Sequence, residues 1–285
     1  MPNHAIRRTS LALATATLTA AAMLGTISPA SAISGGRNAD GDVAATASAR
    51  VILGNTDCSA TRISPEWLIT AKHCVGQGNR SLVSLGGNRQ GEQRHAAEVV
   101  MHPTADLAVI KLDQPSNGPV AKLSGQHLTP GTHARAVGWG GGTQNYFPMV
   151  QQGDLEVQRR VFNIDPDNRE ADLLEVWVTG GHLTPGDSGG PLLIGDTIAG
   201  VASMSNENAL PHINGSIGWY VPVAEHTEWI TRQTGVAATA AAGQPTPRAD
   251  ILQAPAVQPR SLAPAVGSSA VDSWLSTLPF RITHS

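Results

Sequence analysis

Thr184-Pro185-Gly186-Asp187-Ser188-Gly189-Gly190-Pro191 is the stretch around which the rest of the chain makes sense. A serine flanked by an aspartate and three glycines suits neither a helix nor a regular strand. Glycine permits positive φ and close backbone approach. Such a loop can present the Ser188 hydroxyl and turn the amides of Gly186 and Ser188 toward one point, as acyl transfer requires. The same run also reads as a polar hairpin turn, so the remainder of the chain has to decide.

A serine hydroxyl is a weak nucleophile. It needs a base within hydrogen-bond reach, itself oriented by a carboxylate. His73 closes the apolar run Leu68-Ile-Thr-Ala-Lys-His-Cys74 and sits beside a cysteine. A lone histidine there is as readily structural. Asp106, in His102-Pro-Thr-Ala-Asp-Leu-Ala-Val-Ile-Lys-Leu112, is a single acid ahead of a buried-looking strand, a place where aspartates also cap turns.

Between these residues the pattern is one of short β-prone runs divided by turn residues. Arg50–Gly54, Trp67–Ala71, Ser81–Leu85, Ala96–Met101 and Leu107–Leu112 read as strands of a first half. Ala134–Trp139, Leu155–Phe162, Leu173–Val178, Pro191–Ile194, Thr197–Met204 and Trp219–Val223 read as strands of a second. The spacing is that of an all-β sandwich or barrel. Gln114 to Gly131, with three prolines, is a plausible link between halves. One helix is expected in Val223–Thr234, where Val223, Trp229 and Ile230 fall near helical spacing and Gly235 would stop it. From 236 to 285 the Ala/Pro-rich composition predicts a disordered tail.

The start of the chain carries Arg7-Arg8, then a mostly small and apolar run from Leu11 to Ile27 without an acid, then Ser28-Pro29-Ala30-Ser31-Ala32. That is the layout of a signal peptide over 1–32, cut after Ala32, by the Sec or the Tat route. The run is diluted by threonines and short for a membrane span. A secreted, extracellular protein without a membrane anchor after signal removal is therefore expected. A net charge of -3 implies no polyelectrolyte partner, so no nucleic acid is expected. The two cysteines, Cys58 and Cys74, are expected to pair as a disulfide in an exported chain. Closing a loop of that size is worth roughly 3 kcal/mol in the chain-entropy model.

Over Ile33 to Thr234 the chain resembles the trypsin- and chymotrypsin-like serine proteases, in their bacterial secreted branch. Ile33-Ser-Gly-Gly resembles the mature N-terminus and Thr70-Ala-Lys-His-Cys the histidine motif, with Lys72 where Ala is more usual. Asp106-Leu-Ala-Val-Ile, preceded by His102-Pro103, resembles the aspartate motif, and Gly138-Trp-Gly the opening of the second half. Gly186-Asp-Ser-Gly-Gly-Pro is the serine motif. Ala202-Ser203 resembles the substrate-binding strand and Trp229-Ile230 the terminal helix. The resemblance implies two antiparallel six-stranded β-barrels, over 33–125 and 126–235, with the site in the cleft between them. It implies His73 as general base, Asp106 as its orienter, Ser188 as nucleophile, and Gly186 and Ser188 as oxyanion-hole donors. It also implies that the ammonium of Ile33 pairs with Asp187 once the chain is cut before it. Since Ala30-Ser31-Ala32 abuts Ile33, signal cleavage itself would create that terminus.

Alignment on Ser188 puts His182 at the base of the specificity pocket, with walls from Ser203, Met204, Ser205 and Gly218. No acid aligns at the base, so cleavage after Arg or Lys is not expected; an apolar residue is favoured, and the histidine could instead suit an acidic one. Two other classes share parts of this pattern. Gly186-Asp-Ser-Gly-Gly190 also fits the nucleophile elbow of an α/β-hydrolase esterase, but that reading needs a helix after Ser188, where Gly189-Gly190-Pro191 stands. A catalytically silent binding protein on the protease fold is the other. Asp165-Pro-Asp-Asn-Arg-Glu170 hints at a calcium loop that Arg169 spoils. No metal or cofactor is expected, and a monomer acting on protein or peptide substrates is.

Overall fold

The computed structural model describes residues 33, 35–39, 41, 43–88, 91–140, 149–164, 171–206 and 216–255. In chain order the elements are β1 (Arg37–Asn38), α1 (Val43–Thr46), β2 (Ser48–Leu53), β3 (Thr56–Arg62), β4 (Trp67–Thr70), β5 (Ser81–Ser84), β6 (Gln93–Arg94), β7 (Ala96–Met101) and β8 (Ala108–Leu112). There follow β9 (Lys122–Leu123), β10 (His133–Gly138), β11 (Gln151–Phe162), β12 (Leu173–Gly180), β13 (Pro191–Ile194), β14 (Thr197–Ser205), β15 (Ser216–Pro222), α2 (Thr227–Thr234) and β16 (Arg248–Asp250).

The strands form two sheets, as the all-β expectation required. The first runs β6-β5-β2-β3-β4-β8-β7, six longer strands with the two-residue β6 at its edge. The second runs β11-β10-β13-β14-β15-β12 and closes on itself where β11 also pairs β12, giving a six-stranded barrel. Strands buried on both faces, such as β4, read as unbroken apolar runs. Those with one solvated face alternate: in β11, Leu155 and Val157 are buried while Asp154 and Glu156 are half-exposed. Leu155, Val157, Leu174, Val176, Val178, Leu192 and Tyr220 fill the second barrel, and Ile33 packs among them.

Three features differ from expectation. β3 is missing from the strands read off the sequence, because Thr-Asp-Cys-Ser-Ala-Thr-Arg looks polar; its Ser59, Thr61 and Arg62 are nonetheless buried. The boundary near 125 is also blurred: β1 pairs β11 and β9 pairs β14, so both short strands from the first half belong to the second sheet. Finally, the tail expected to be disordered from 236 is not so over 236–255. Ala238 bridges to Leu123, Ala242 to Gln126, and β16 lies parallel to Arg160–Phe162 of β11. A segment too poor in apolar residues to build a core can still dock on one, and here Ile251 is the buried anchor.

The expected helix is present. A 3-10 turn over Val223–Glu225 leads into α2, which buries Trp229 and Ile230. Gly235 ends it in a left-handed conformation at φ 72°, its amide bonding the Thr231 carbonyl at 2.8 Å.

Candidate active site

His73 sits in a short 3-10 turn, Lys72–Cys74, at the end of β4. Cys74 is bonded to Cys58 of β3, with their Cα atoms 6.0 Å apart, so the turn is pinned to the neighbouring strand. Asp106 lies at the entrance of β8, the strand paired with β4, which brings it beside the histidine. The His73 backbone amide donates to Asp106 Oδ1 at 2.9 Å, and His73 Nδ1 lies 2.7 Å from Asp106 Oδ2. Ser203 Oγ, from β14 of the second barrel, donates to the same Oδ2 at 2.6 Å. Burial would push the Asp106 carboxyl up, but the hydrogen bonds and charge of His73, with the Ser203 hydroxyl, hold it below the usual carboxylate range.

The serine loop joins β12 to β13. Gly186 takes φ 99°, a conformation only glycine adopts without strain. The loop's backbone is tied on every side. The Asp187 amide donates to the Thr184 carbonyl at 3.0 Å, that of Gly190 to the Asp187 carbonyl at 2.9 Å, and that of Gly189 to the Ala202 carbonyl at 2.8 Å. Two further bonds come from the first barrel. The Ser59 amide donates to the Ser188 carbonyl at 2.8 Å, and Ser59 Oγ donates to the Gly186 carbonyl at 2.8 Å while accepting from the Trp139 amide at 2.8 Å. Gly189 lies against Thr70 and Ala71 so closely that any side chain there would collide with the Thr70 hydroxyl and the Ser59 carbonyl. The loop carrying Ser188 is thus seated on the strand end that carries His73.

Asp187 points the other way, into the second barrel, and is buried. Its Oδ2 accepts from the Ile33 nitrogen at 3.3 Å, the Thr184 amide at 2.8 Å and the Thr184 hydroxyl at 3.1 Å, and its Oδ1 accepts from the Gly140 amide at 2.8 Å. Burial pushes its carboxyl up to about 6 against these four hydrogen bonds.

The residues expected to line a pocket are brought together in part. Ser205 and Gly218 face each other across β14 and β15, and His182 is buried nearby in sequence to the loop. Ser203 sits at a register shift between Ala202 and Met204, which frees its hydroxyl to reach Asp106. Met204 pairs with Trp219 and is packed into the larger apolar core. Leu183 was not anticipated. Its Cδ1 would lie 2.6 Å from a Cβ on Gly218, and the Tyr220 ring 3.2 Å from it, so both side chains occupy the space beside that glycine. Among the described residues, the one cluster of possible metal ligands is Cys58, His73 and Cys74. Its two sulfurs are bonded to each other and offer no thiolate. The calcium hint at 165–170 lies outside the described residues.

Two antiparallel barrels, an Asp–His pair on one and a glycine-bound serine loop from the other, define a serine hydrolase of two-barrel architecture. The family model described as Trypsin matches residues 33–230. A relative named as a peptidase in Corynebacterium glutamicum is 39% identical over 266 residues, covering 93% of this chain and 95% of its own. Human kallikrein-11 is 27% identical over 201 residues, covering 61% of this chain and 70% of its own. The solved structure of neuropsin, a serine protease of mouse brain, superposes with a TM-score of 0.56 at 18% identity, over 70% of this chain and 98% of that one. The chain belongs to the trypsin family and is a serine endopeptidase. Among the described residues no helix is long and apolar enough to cross a membrane.

Proposed function

We propose that the protein is an exported endopeptidase that hydrolyses peptide bonds through an acyl-enzyme on Ser188. His73 takes the serine proton and returns it to the leaving amine. Asp106 holds the His73 tautomer and balances the imidazolium, and the amides of Gly186 and Ser188 receive the oxyanion. The observation that carries this reading is the 2.7 Å contact of His73 Nδ1 with an Asp106 carboxylate that also accepts from the His73 amide and from Ser203. Ser188→Ala should lower kcat by about a million-fold and abolish labelling by an organophosphate, with the fold kept. Full hydrolytic activity in that variant would refute the assignment.

Cleavage after Arg or Lys is not the specificity: Asp187 is engaged by Ile33, Thr184 and Gly140, and Leu183 packs beside Gly218. An apolar side chain suits that surface. Profiling cleavage of a mixed peptide library should show little after Arg or Lys, and dominant cleavage there would contradict it. The activating terminus is made on export, because Ala30-Ser31-Ala32 directly precedes Ile33. Terminal sequencing of the exported protein should read Ile-Ser-Gly-Gly, and a fully active form beginning earlier would exclude the idea.

A further inference from the structure

Only three residues separate His102 from Asp106, and the turn they make is fastened to His102 at several points. The His102 amide donates to the Leu107 carbonyl at 2.8 Å, across the turn. Its Nδ1 accepts from the Ala105 amide at 2.8 Å and from the Thr104 amide at 3.2 Å. Its carbonyl accepts from Lys72 Nζ at 3.4 Å, so the lysine beside His73 grips the same turn. The ring is in turn held by the C-terminal helix. It meets His226, at the start of α2, edge-on at 4.7 Å between centroids, and Trp229 of α2 edge-on at 4.9 Å. Turns this short hold their shape through side-chain acceptors for their amides, much as an aspartate or asparagine does in an Asx turn.

We propose that His102 is a positioning residue for the catalytic aspartate: its Nδ1 caps the turn that delivers Asp106 to His73, and helix α2 holds the ring in place to do so. The proposal rests on Asp106 acting as the orienter of His73. For Nδ1 to accept two amides the ring must be neutral, with its proton on Nε2. Burial, with the charges of Lys72 and Arg232, holds His102 below the usual histidine range and keeps that form at neutral pH. Placement is where such a residue acts, since small errors in the geometry of a catalytic group cost large factors in rate.

Two substitutions separate the cap from the ring packing. His102→Asn offers Oδ1 at the place of Nδ1 and gives up the packing on α2; His102→Phe keeps the packing and gives up the acceptor. Four quantities are read for each: kcat and KM on a peptide substrate, the melting temperature, and the low-field proton resonance of the His73–Asp106 hydrogen bond. The Phe variant should lose kcat on the order of tenfold or more at unchanged KM, with that resonance broadened or shifted. The Asn variant should keep the resonance and kcat within about twofold of the parent, although it melts lower. A Phe variant with parental kcat and resonance overturns the proposal, as does an Asn variant that loses the resonance. The resonance is read independently of turnover. Parental hydrolysis that persists in Ser188→Ala would therefore sink the catalytic reading of the site by a different measurement.

Discussion

Asp187 is the residue whose energetics depend most on the state of the chain. Its carboxyl is enclosed by the second barrel and faces Ile33, and burial raises it to about 6 from an ordinary 3.8. While the chain is continuous through Ile33, what Ile33 offers Oδ2 is a neutral peptide N–H at 3.3 Å. A folded pKa above the unfolded one means the folded state holds the proton more tightly. The associated stability is present below about pH 4 and is lost as pH rises through about 6, a difference of about 3 kcal/mol. A free ammonium at Ile33, as proposed above, should compensate the carboxylate and remove that loss. Urea unfolding of a form starting at Ile33 and of one retaining Ser31-Ala32 should therefore agree near pH 4. By pH 7 the longer form should fall about 3 kcal/mol below the shorter. Parallel pH profiles would show that the ammonium does not relieve the buried charge. Residues of this kind were legible in the sequence because each stands in a distinctive run: Ile33 before two glycines, His73 before a cysteine, Asp106 before an apolar strand, Ser188 among glycines. Their supports were not. Ser203 reaches Asp106 across 97 residues and Ser59 reaches Gly186 across 127, and a serine in a strand carries no mark of its distant partner.

At the scale of elements, composition misled in two places for one reason. β3 looked polar and the segment after Gly235 looked structureless, because neither carries a run of large apolar residues. Both are held by partners. β3 lies between β2 and β4, and its Arg62 is buried, donating to the Pro119 carbonyl at 2.7 Å and to Ser116 Oγ. The C-terminal segment binds across the link between sheets, through Ala238 and Ala242, and then along β11, where Arg248 stacks 4.4 Å over the Phe162 ring. Arg160, two residues before Phe162 on that strand, is anchored by Glu225 at 2.7 Å and Asp172 at 2.6 Å. The strap adds a fastening to the barrel that contains no disulfide. Ending the chain at Gly235 should leave the fold in place but cost about 3–5 kcal/mol, from the buried Ile251 side chain and the lost ladder bonds. Thermal unfolding of the two lengths measures it. An unchanged melting temperature would mean the strap rides on the barrel without contributing to it.

At the scale of the molecule, the site is an interface. The first barrel supplies His73 and Asp106, the second supplies Ser188 and Ser203, and α2 returns from the second to pack Trp229 on His102. What sets His73 against the Ser188 loop is one small knot. Cys58 is bonded to Cys74, whose chain neighbour is His73; Ser59, next to Cys58, bonds the Ser188 and Gly186 carbonyls and the Trp139 amide. Disulfide, His73 and serine loop therefore share two adjacent pairs of residues. Ser59→Ala leaves the part-buried Gly186 carbonyl and the buried Trp139 amide without this partner, which should cost about 1–3 kcal/mol. It also frees the Gly186 peptide, so kcat should fall by about tenfold or more while KM changes little. Reducing the disulfide loosens the other end of the same knot and should cost roughly 3 kcal/mol, again with kcat affected before KM. If the knot couples the barrels, the two perturbations combined should fall short of the sum of their separate effects, because both release one contact surface. A double-perturbation cycle in unfolding free energy and in kcat tests this, and strict additivity would mean that the disulfide and Ser59 brace the site independently.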